Sequence, residues 1–271
     1  MLISTSLNIC PSDIAEPEFL PRLKSAGFSG IDFHFHHLAE RLDWFDQKNA
    51  DAWVDGLGQA AANNGLAWVQ SHGPMFNPFS ASPKDKRGLE LCGPALRACG
   101  RLGVKWMVLH PDVFAGAFDH AHHNALLSRN AEHFRSLLPL CEKYNVGIAI
   151  ENLFDAVGKY DGRGAARFFA CVPDEQCELI DAINHPLVAG CWDSGHARLM
   201  QLDQRAGIAS LGRRLKAIHI QENDGNGDDH MLPFHCGPQG VNWTGVMQGL
   251  REAGYPGAFN YEAHYAIRAV P

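Results

Sequence analysis

Apolar residues along this chain gather into eight short runs, separated by longer stretches with a different period. The runs are Leu2–Ile9, Gly30–His34, Ala67–Ser71, Trp106–His110, Val146–Glu151, Leu187–Asp193, Lys216–Ile220 and Ala258–Glu262. Their length and near-continuous hydrophobicity predict buried β-strands. Helical spacing fills the stretches between. It is clearest over His122–Tyr144, where Leu126, Leu127, Ala131, Phe134, Leu137, Leu138 and Cys141 share one stripe. Pro139 predicts a kink or a restart there. A second helix runs through Trp53, Leu57, Ala60 and Ala61 and stops at Asn64-Gly65. A third spans Lys86–Leu102 and ends at Gly103, and a fourth spans Trp243–Ala253 before Gly254.

Strands that alternate with helices predict βα repeats around a parallel sheet. The chain has 271 residues, and one closed α/β barrel takes about 250. The expected architecture is therefore a single (β/α)8 TIM barrel over residues 1–271. An open doubly wound sheet is the rival. Its usual glycine-rich phosphate loop after the first strand has no counterpart in Asn8–Asp13.

Charge and cysteine usage narrow the partners. A formal net charge of -7 lacks the general attraction to phosphates that nucleic-acid binding needs. The densest basic stretch, Arg213-Arg214-Lys216, reads as a solvated helix end before a strand. Eight cysteines are scattered with no C-x-x-C pair, which suits a reducing, cytoplasmic compartment. Neither a signal peptide nor a membrane span of ~20 apolar residues is expected.

Four of the later runs end in groups that bind metals. Glu151 ends one, Asp193 the next, His219 lies in the seventh and Glu262 ends the eighth. In a closed parallel barrel these side chains would share one rim, the rim where such barrels do chemistry. Each alone has an ordinary explanation, such as a helix cap, a salt bridge or an interior histidine. Four coincidences on consecutive strands are harder to explain that way. His72, His110, His196, Asp228 and His230 extend the set to nine candidate ligands. Imidazoles and carboxylates suit Zn²⁺, Mn²⁺ or Fe²⁺, and the oxygen-rich central set also accepts Mg²⁺. The three histidines at 120, 122 and 123 read as surface, whereas His34 or His36 can face the pocket. Trp44, Trp68, Phe76 and Phe114 are candidates for an apolar wall.

Several motifs in order resemble the xylose isomerase-like barrel superfamily, in its sugar phosphate isomerase/epimerase branch. They are Ile150-Glu151-Asn152, Asp193-Ser194-Gly195-His196, His219 with Glu222-Asn223-Asp224-Gly225, Asp228-x-His230, Val241-Asn242-Trp243 and Gly254-Tyr255-Pro256-Gly257 before Glu262. The resemblance implies one divalent ion (Mn, Zn, Mg, Fe or Co) held by Glu151, Asp193, His219 and Glu262. It implies that Glu151 and Glu262 also serve as an acid/base pair on opposite sides of a sugar or polyol. His72, His110, His196, Asp228 and His230 would then bind further metal or substrate. The related endonuclease IV type of abasic-site nuclease implies an alternative with up to three zinc ions. His72 and His110 would join Glu151 at one of these, and His196, Asp228 and His230 would hold another. The chain departs from the usual His-Asp-Asn after the seventh-strand histidine, with Gln221-Glu222-Asn223, which bears on substrate identity.

The expected activity is a metal-dependent sugar, keto-polyol or sugar-phosphate isomerase or epimerase, working by proton transfer through a metal-stabilised enediolate. A keto-polyol dehydratase starts from the same proton abstraction. A trinuclear-zinc phosphodiesterase is the other alternative, as is a binding protein without catalysis. Expected partners are a small-molecule sugar or polyol, with neither nucleic acid nor membrane; a homo-oligomer is compatible with the sequence.

Overall fold

In a computed structural model of the chain, residues 1–111, 113–115, 120–154, 166–264 and 267 are described. All eight apolar runs form strands: β1 (Ile3–Ser6), β2 (Gly30–Asp32), β3 (Ala67–His72), β4 (Trp106–Leu109), β5 (Gly147–Glu151), β6 (Val188–Asp193), β7 (Leu215–His219) and β8 (Phe259–Tyr261). They pair in parallel in the order β8-β1-β2-β3-β4-β5-β6-β7. Ile220 and Tyr261 bridge the remaining edge, where Ile220 N–H donates to Asn260 O at 2.8 Å and Glu262 N–H donates to Ile220 O at 2.9 Å. The result is the expected (β/α)8 barrel.

Nine helices surround the strands among the described residues: α1 (Glu16–Ser25), α2 (Phe35–Leu38), α3 (Gln47–Asn63), α4 (Pro83–Leu102), α5 (His120–Tyr144), α6 (Pro173–Ile183), α7 (Ser194–Leu199), α8 (Gln204–Leu211) and α9 (Trp243–Ala253). The four helices expected from the sequence are α3, α4, α5 and α9. Helix α5 runs through Pro139 without a restart. Glycines end two of them where the chain must turn left-handed: Gly103 at φ 74° and Gly254 at φ 62°. A two-stranded antiparallel ribbon, Val113–Ala115 with Ala166–Phe168, was not legible in the pattern.

Apolar residues fill the space between barrel and helices, with Leu20, Phe33, Leu57, Leu96, Phe134 and Trp192 among the fully buried side chains. Inside the barrel, below its C-terminal mouth, the filling is divided. Val108, Ala149, Cys191 and Ala217 form an apolar half. Ser4, Asp32, Gln70 and Asn260, equally buried, form a polar half joined by hydrogen bonds. None of the eight cysteines is in a disulfide. Among the described residues no helix is long and apolar enough to cross a membrane.

Candidate metal centre and active site

Glu151 and Asp193 are the last residues of β5 and β6, His219 is the last of β7, and Glu262 directly follows β8. The ladders place Asp193 opposite His219 and Glu151 opposite Cys191, so parallel pairing brings these groups to one level. All four are buried, and one ligand atom from each lies within 4.8 Å of the others. His219 Nδ1 stands 2.8 Å from Glu151 Oε1 and 3.1 Å from Glu262 Oε2. Buried carboxylates this close need positive charge between them.

Each carboxylate is oriented by its neighbours. Asp193 Oδ1 accepts the His196 N–H at 2.6 Å, which caps α7, and the Gln221 amide at 3.2 Å. Its Oδ2 is buried and, among the described residues, has no hydrogen-bond partner. Asn152 fixes the backbone beneath it, accepting Asp193 N–H at 2.6 Å and donating to Asp193 O at 3.0 Å. Gln221 also donates to Asp228 Oδ1 at 2.7 Å. The effect is to tie one oxygen of each aspartate, leaving Asp193 Oδ2 without a partner among the described residues and turning Asp228 Oδ2 toward His196 and His230. Gly195 permits this, because a Cβ there would run into the Gln221 amide. Gly195→Ala is expected to cost about 1–3 kcal/mol by overpacking and to weaken divalent-ion binding. Calorimetric metal titration beside a thermal melt checks both.

The five additional candidates converge as well. His110 Nε2 lies 3.0 Å and His72 Nε2 3.9 Å from Glu151 Oε2. A carbonyl can only accept, so the 3.0 Å contact between His72 Nδ1 and Gly73 O fixes the proton on Nδ1. Burial and His110 hold His72 well below its ordinary value, which keeps the ring neutral and turns a lone pair toward Glu151. On the other side, His196 Nδ1 donates to Asn152 O at 2.8 Å and His230 Nδ1 donates to Glu262 O at 2.7 Å. Their Nε2 atoms face Asp228 Oδ2 at 3.4 and 3.1 Å. Such nitrogens must carry a second proton or a cation. The donor set therefore fits divalent metal in chemistry and in orientation.

Charge in the ion-free protein follows the same logic. Burial pushes the Glu262 carboxyl up to about 7, against the pull of His219 and His230. Burial also acts on Glu151, but His219 and the His110 hydrogen bond outweigh it and hold Glu151 well below the usual carboxylate range. His230 is raised to about 9, burial being overcome by Asp228. A raised folded value gives stability that is lost as pH climbs through it. Buried His34 and His72, held neutral, lose stability as pH falls below the ordinary 6.5. The ion-free protein should thus lose stability from pH 6.5 toward 9, and a bound divalent ion, which prefers deprotonated ligands, should flatten that decline. Thermal melts with and without chelator test this. A rise in stability over that range in chelator would contradict it.

The mouth above these groups is a cavity of about 540 Å³, lined by His34, His36, His37, His264, Asn8 and Met75 and by every candidate ligand except Asp193 and His219. This volume suits a small polar ligand. Both His34 and His36 face it. The aromatic wall expected from the sequence is elsewhere. Trp44 is buried against Phe35 and Trp53, Trp68 packs edge-on to Phe33, and Phe76 lies over Gly88 beside His133. The Phe114 side chain and that of His120 lie outside the described residues. His122 is exposed as expected, whereas His123 is half-buried and bonded to Glu178 at 2.6 Å. Arg214 pairs with Asp181 at the surface.

Comparison with known proteins adds the relatives. A family model for xylose isomerase-like TIM barrels matches residues 20–269. An uncharacterized protein of Sinorhizobium fredii is 28% identical over 176 residues, 65% of this chain and 52% of that protein, so the match spans about half of that relative. One from Methanocaldococcus jannaschii is 21% identical over 87% of this chain and 82% of its own. Among solved structures, a D-tagatose 3-epimerase-like protein superposes with a TM-score of 0.72 at 18% identity, covering 96% of this chain and 90% of its own. A 3-keto-D-glucoside 4-epimerase from E. coli gives 0.71 at 15% identity, over 97% and 91%. At these identities the superpositions establish the fold.

Proposed function

The chain belongs to the xylose isomerase-like TIM barrel family, and from that premise we propose that it is a divalent-metal-dependent isomerase or epimerase of a sugar or keto-polyol. The observation that carries the reading is the convergence of Glu151, Asp193, His219 and Glu262 at the barrel mouth, with ligand atoms within 4.8 Å. The names of the structural neighbours, sugar 3-epimerases and a keto-glucoside 4-epimerase, point the same way.

Those four residues would hold the ion, and a bound divalent ion supplies Lewis acidity to a carbonyl and its neighbouring hydroxyl. The protein's own groups do the rest. Glu151 and Glu262 both meet His219 Nδ1, at 2.8 and 3.1 Å. Their environments push their pKa values apart, a pattern that separates acid and base roles. Without an ion, burial pushes the Glu262 carboxyl up to about 7; a bound cation would lower it again and favour its base form. Glu151 stays ionised. Delivery of a proton to the same carbon gives epimerisation, and delivery to the adjacent carbon gives isomerisation. His110 and His196 stand at the cavity edge, where an imidazole can bind substrate oxygens. Solvent-deuterium exchange into a panel of ketoses, inososes and their phosphates tests the reading. Deuterium uptake at the carbon beside the carbonyl is expected, and no uptake across the panel would contradict it.

A second reading has its own support. His72, His110 and Glu151 form a second converging set, and Asp228 lies between His196 and His230. A three-ion hydrolase of phosphodiesters would use all nine groups. Metal content separates the readings: about one ion per chain fits the isomerase or epimerase, and about three fits the hydrolase. A keto-polyol dehydratase shares the first proton transfer and is distinguished by loss of water from the product.

A further inference from the structure

Asp32, on β2, is a fully buried carboxylate that the proposed reaction does not use. Its Oδ1 accepts the His72 N–H at 3.0 Å, and its Oδ2 accepts the Gln70 amide at 3.0 Å and the Asn260 amide at 3.1 Å. Three donors from β3 and β8 meet the need of a charge removed from water. The fourth neighbour is His219 Nε2, 3.9 Å from Asp32 Oδ2. That nitrogen is buried and, among the described residues, has no hydrogen-bond partner. The other ring nitrogen, Nδ1, is the one that meets Glu151 and Glu262.

We propose that Asp32 is the positioning residue of the metal centre: its carboxylate keeps the His219 proton on Nε2 and so presents the Nδ1 lone pair to the ion. The proposal rests on reading Glu151, Asp193, His219 and Glu262 as ligands. A histidine that ligates through one nitrogen commonly offers the other N–H to a carboxylate, which fixes ring and tautomer. The surroundings hold the strand as well as the ring. Gln70 donates to Ile218 O at 3.2 Å across the barrel and accepts the Ile218 N–H at 3.4 Å. The residue before His219 is thus clamped by the same amide that holds Asp32. Asn260, two residues before Glu262, is held by Ser4 at 2.8 Å and reaches Asp32 with its amide. The polar half of the barrel interior therefore ties together two of the four ligand-bearing strand ends, with Asp32 at its centre.

Two measurements decide it. Nitrogen NMR of histidine-labelled, Zn²⁺-loaded protein reports the tautomer of His219, whose signals are identified by their loss in His219→Ala. The proton is expected on Nε2 and the coordination shift on Nδ1; the reverse assignment overturns the proposal, and this readout needs no Asp32 variant to fold. Competition with a chromogenic chelator then gives Zn²⁺ affinity. Asp32→Asn is expected to bind roughly 10–100-fold more weakly than wild type. If His219→Ala loses Zn²⁺ but Asp32→Asn keeps wild-type affinity, Asp32 is not a positioning residue while the ligand assignment stands. If wild type binds no Zn²⁺ at all, the proposed function and this inference fall together.

Discussion

Replacing Glu262 with Gln is expected to cut turnover by about 10²–10⁴-fold, the range that a positioned general acid or base contributes, and to leave the fold in place. The glutamine keeps the volume of the side chain but cannot take a proton. Among the described residues the Glu262 carboxylate makes no backbone-capping bond; the backbone N–H of Glu262 pairs with Ile220 and its carbonyl with His230. Folding therefore does not depend on its charge. In fact burial makes that charge costly, as the rise to about 7 records. Glu151→Gln should lose at least as much activity, because the same side chain faces His219, His110 and His72. Initial rates of solvent-deuterium incorporation, with circular dichroism as the folding control, measure both. Retention of activity in either variant would remove that residue from the acid/base pair.

Divalent-ion removal is expected to produce the second large effect. Glu151, Asp193, Asp228 and Glu262 crowd one mouth, and among the described residues the imidazoles of His196, His219 and His230 stand against them. A ligand that binds the folded state alone stabilises it by about 2.7 kcal/mol at a hundred times its Kd and about 4.1 kcal/mol at a thousand times. At roughly 2–4 °C per kcal/mol for chains near this size, saturating Mn²⁺ or Zn²⁺ should raise the melting temperature by roughly 5–15 °C over chelator-treated protein. The His219→Ala variant should show little of this rise. Equal melting temperatures for wild type with and without metal would contradict a folded-state ion site.

The barrel was legible because parallel strands, covered on both faces, write themselves as continuous apolar runs. All eight were found, with ends shifted by a few residues. The four proposed ligands stood out for a related reason: Glu151, Asp193, His219 and Glu262 are polar groups at or beside the ends of apolar runs. Other parts of the centre left no such mark. Asp32 and Gln70 lie within runs that read as ordinary strand, and their meaning depends on what they reach across the barrel. Gln70 bonds to Ile218, 148 residues away. Gln221 looked like a departure from a family motif, yet its amide orients two aspartates. Trp44, Trp68 and Phe76 did not form the expected wall because hydrophobic size says nothing about which side of a strand or helix a ring takes. Trp44 went to the core, where its Nε1 finds Leu38 O at 3.1 Å. Helices α1 and α8 were not delimited because each is short, so their apolar stripes give few repeats.

In the proposed reading one divalent ion sits among Glu151, Asp193, His219 and Glu262. A crystal structure of protein grown with Mn²⁺, with anomalous scattering collected at the manganese edge, tests it directly. The account predicts a peak with an atom of each of these four side chains in its coordination shell, His219 through Nδ1. A map with no anomalous peak there, or with the metal bound elsewhere, would contradict it.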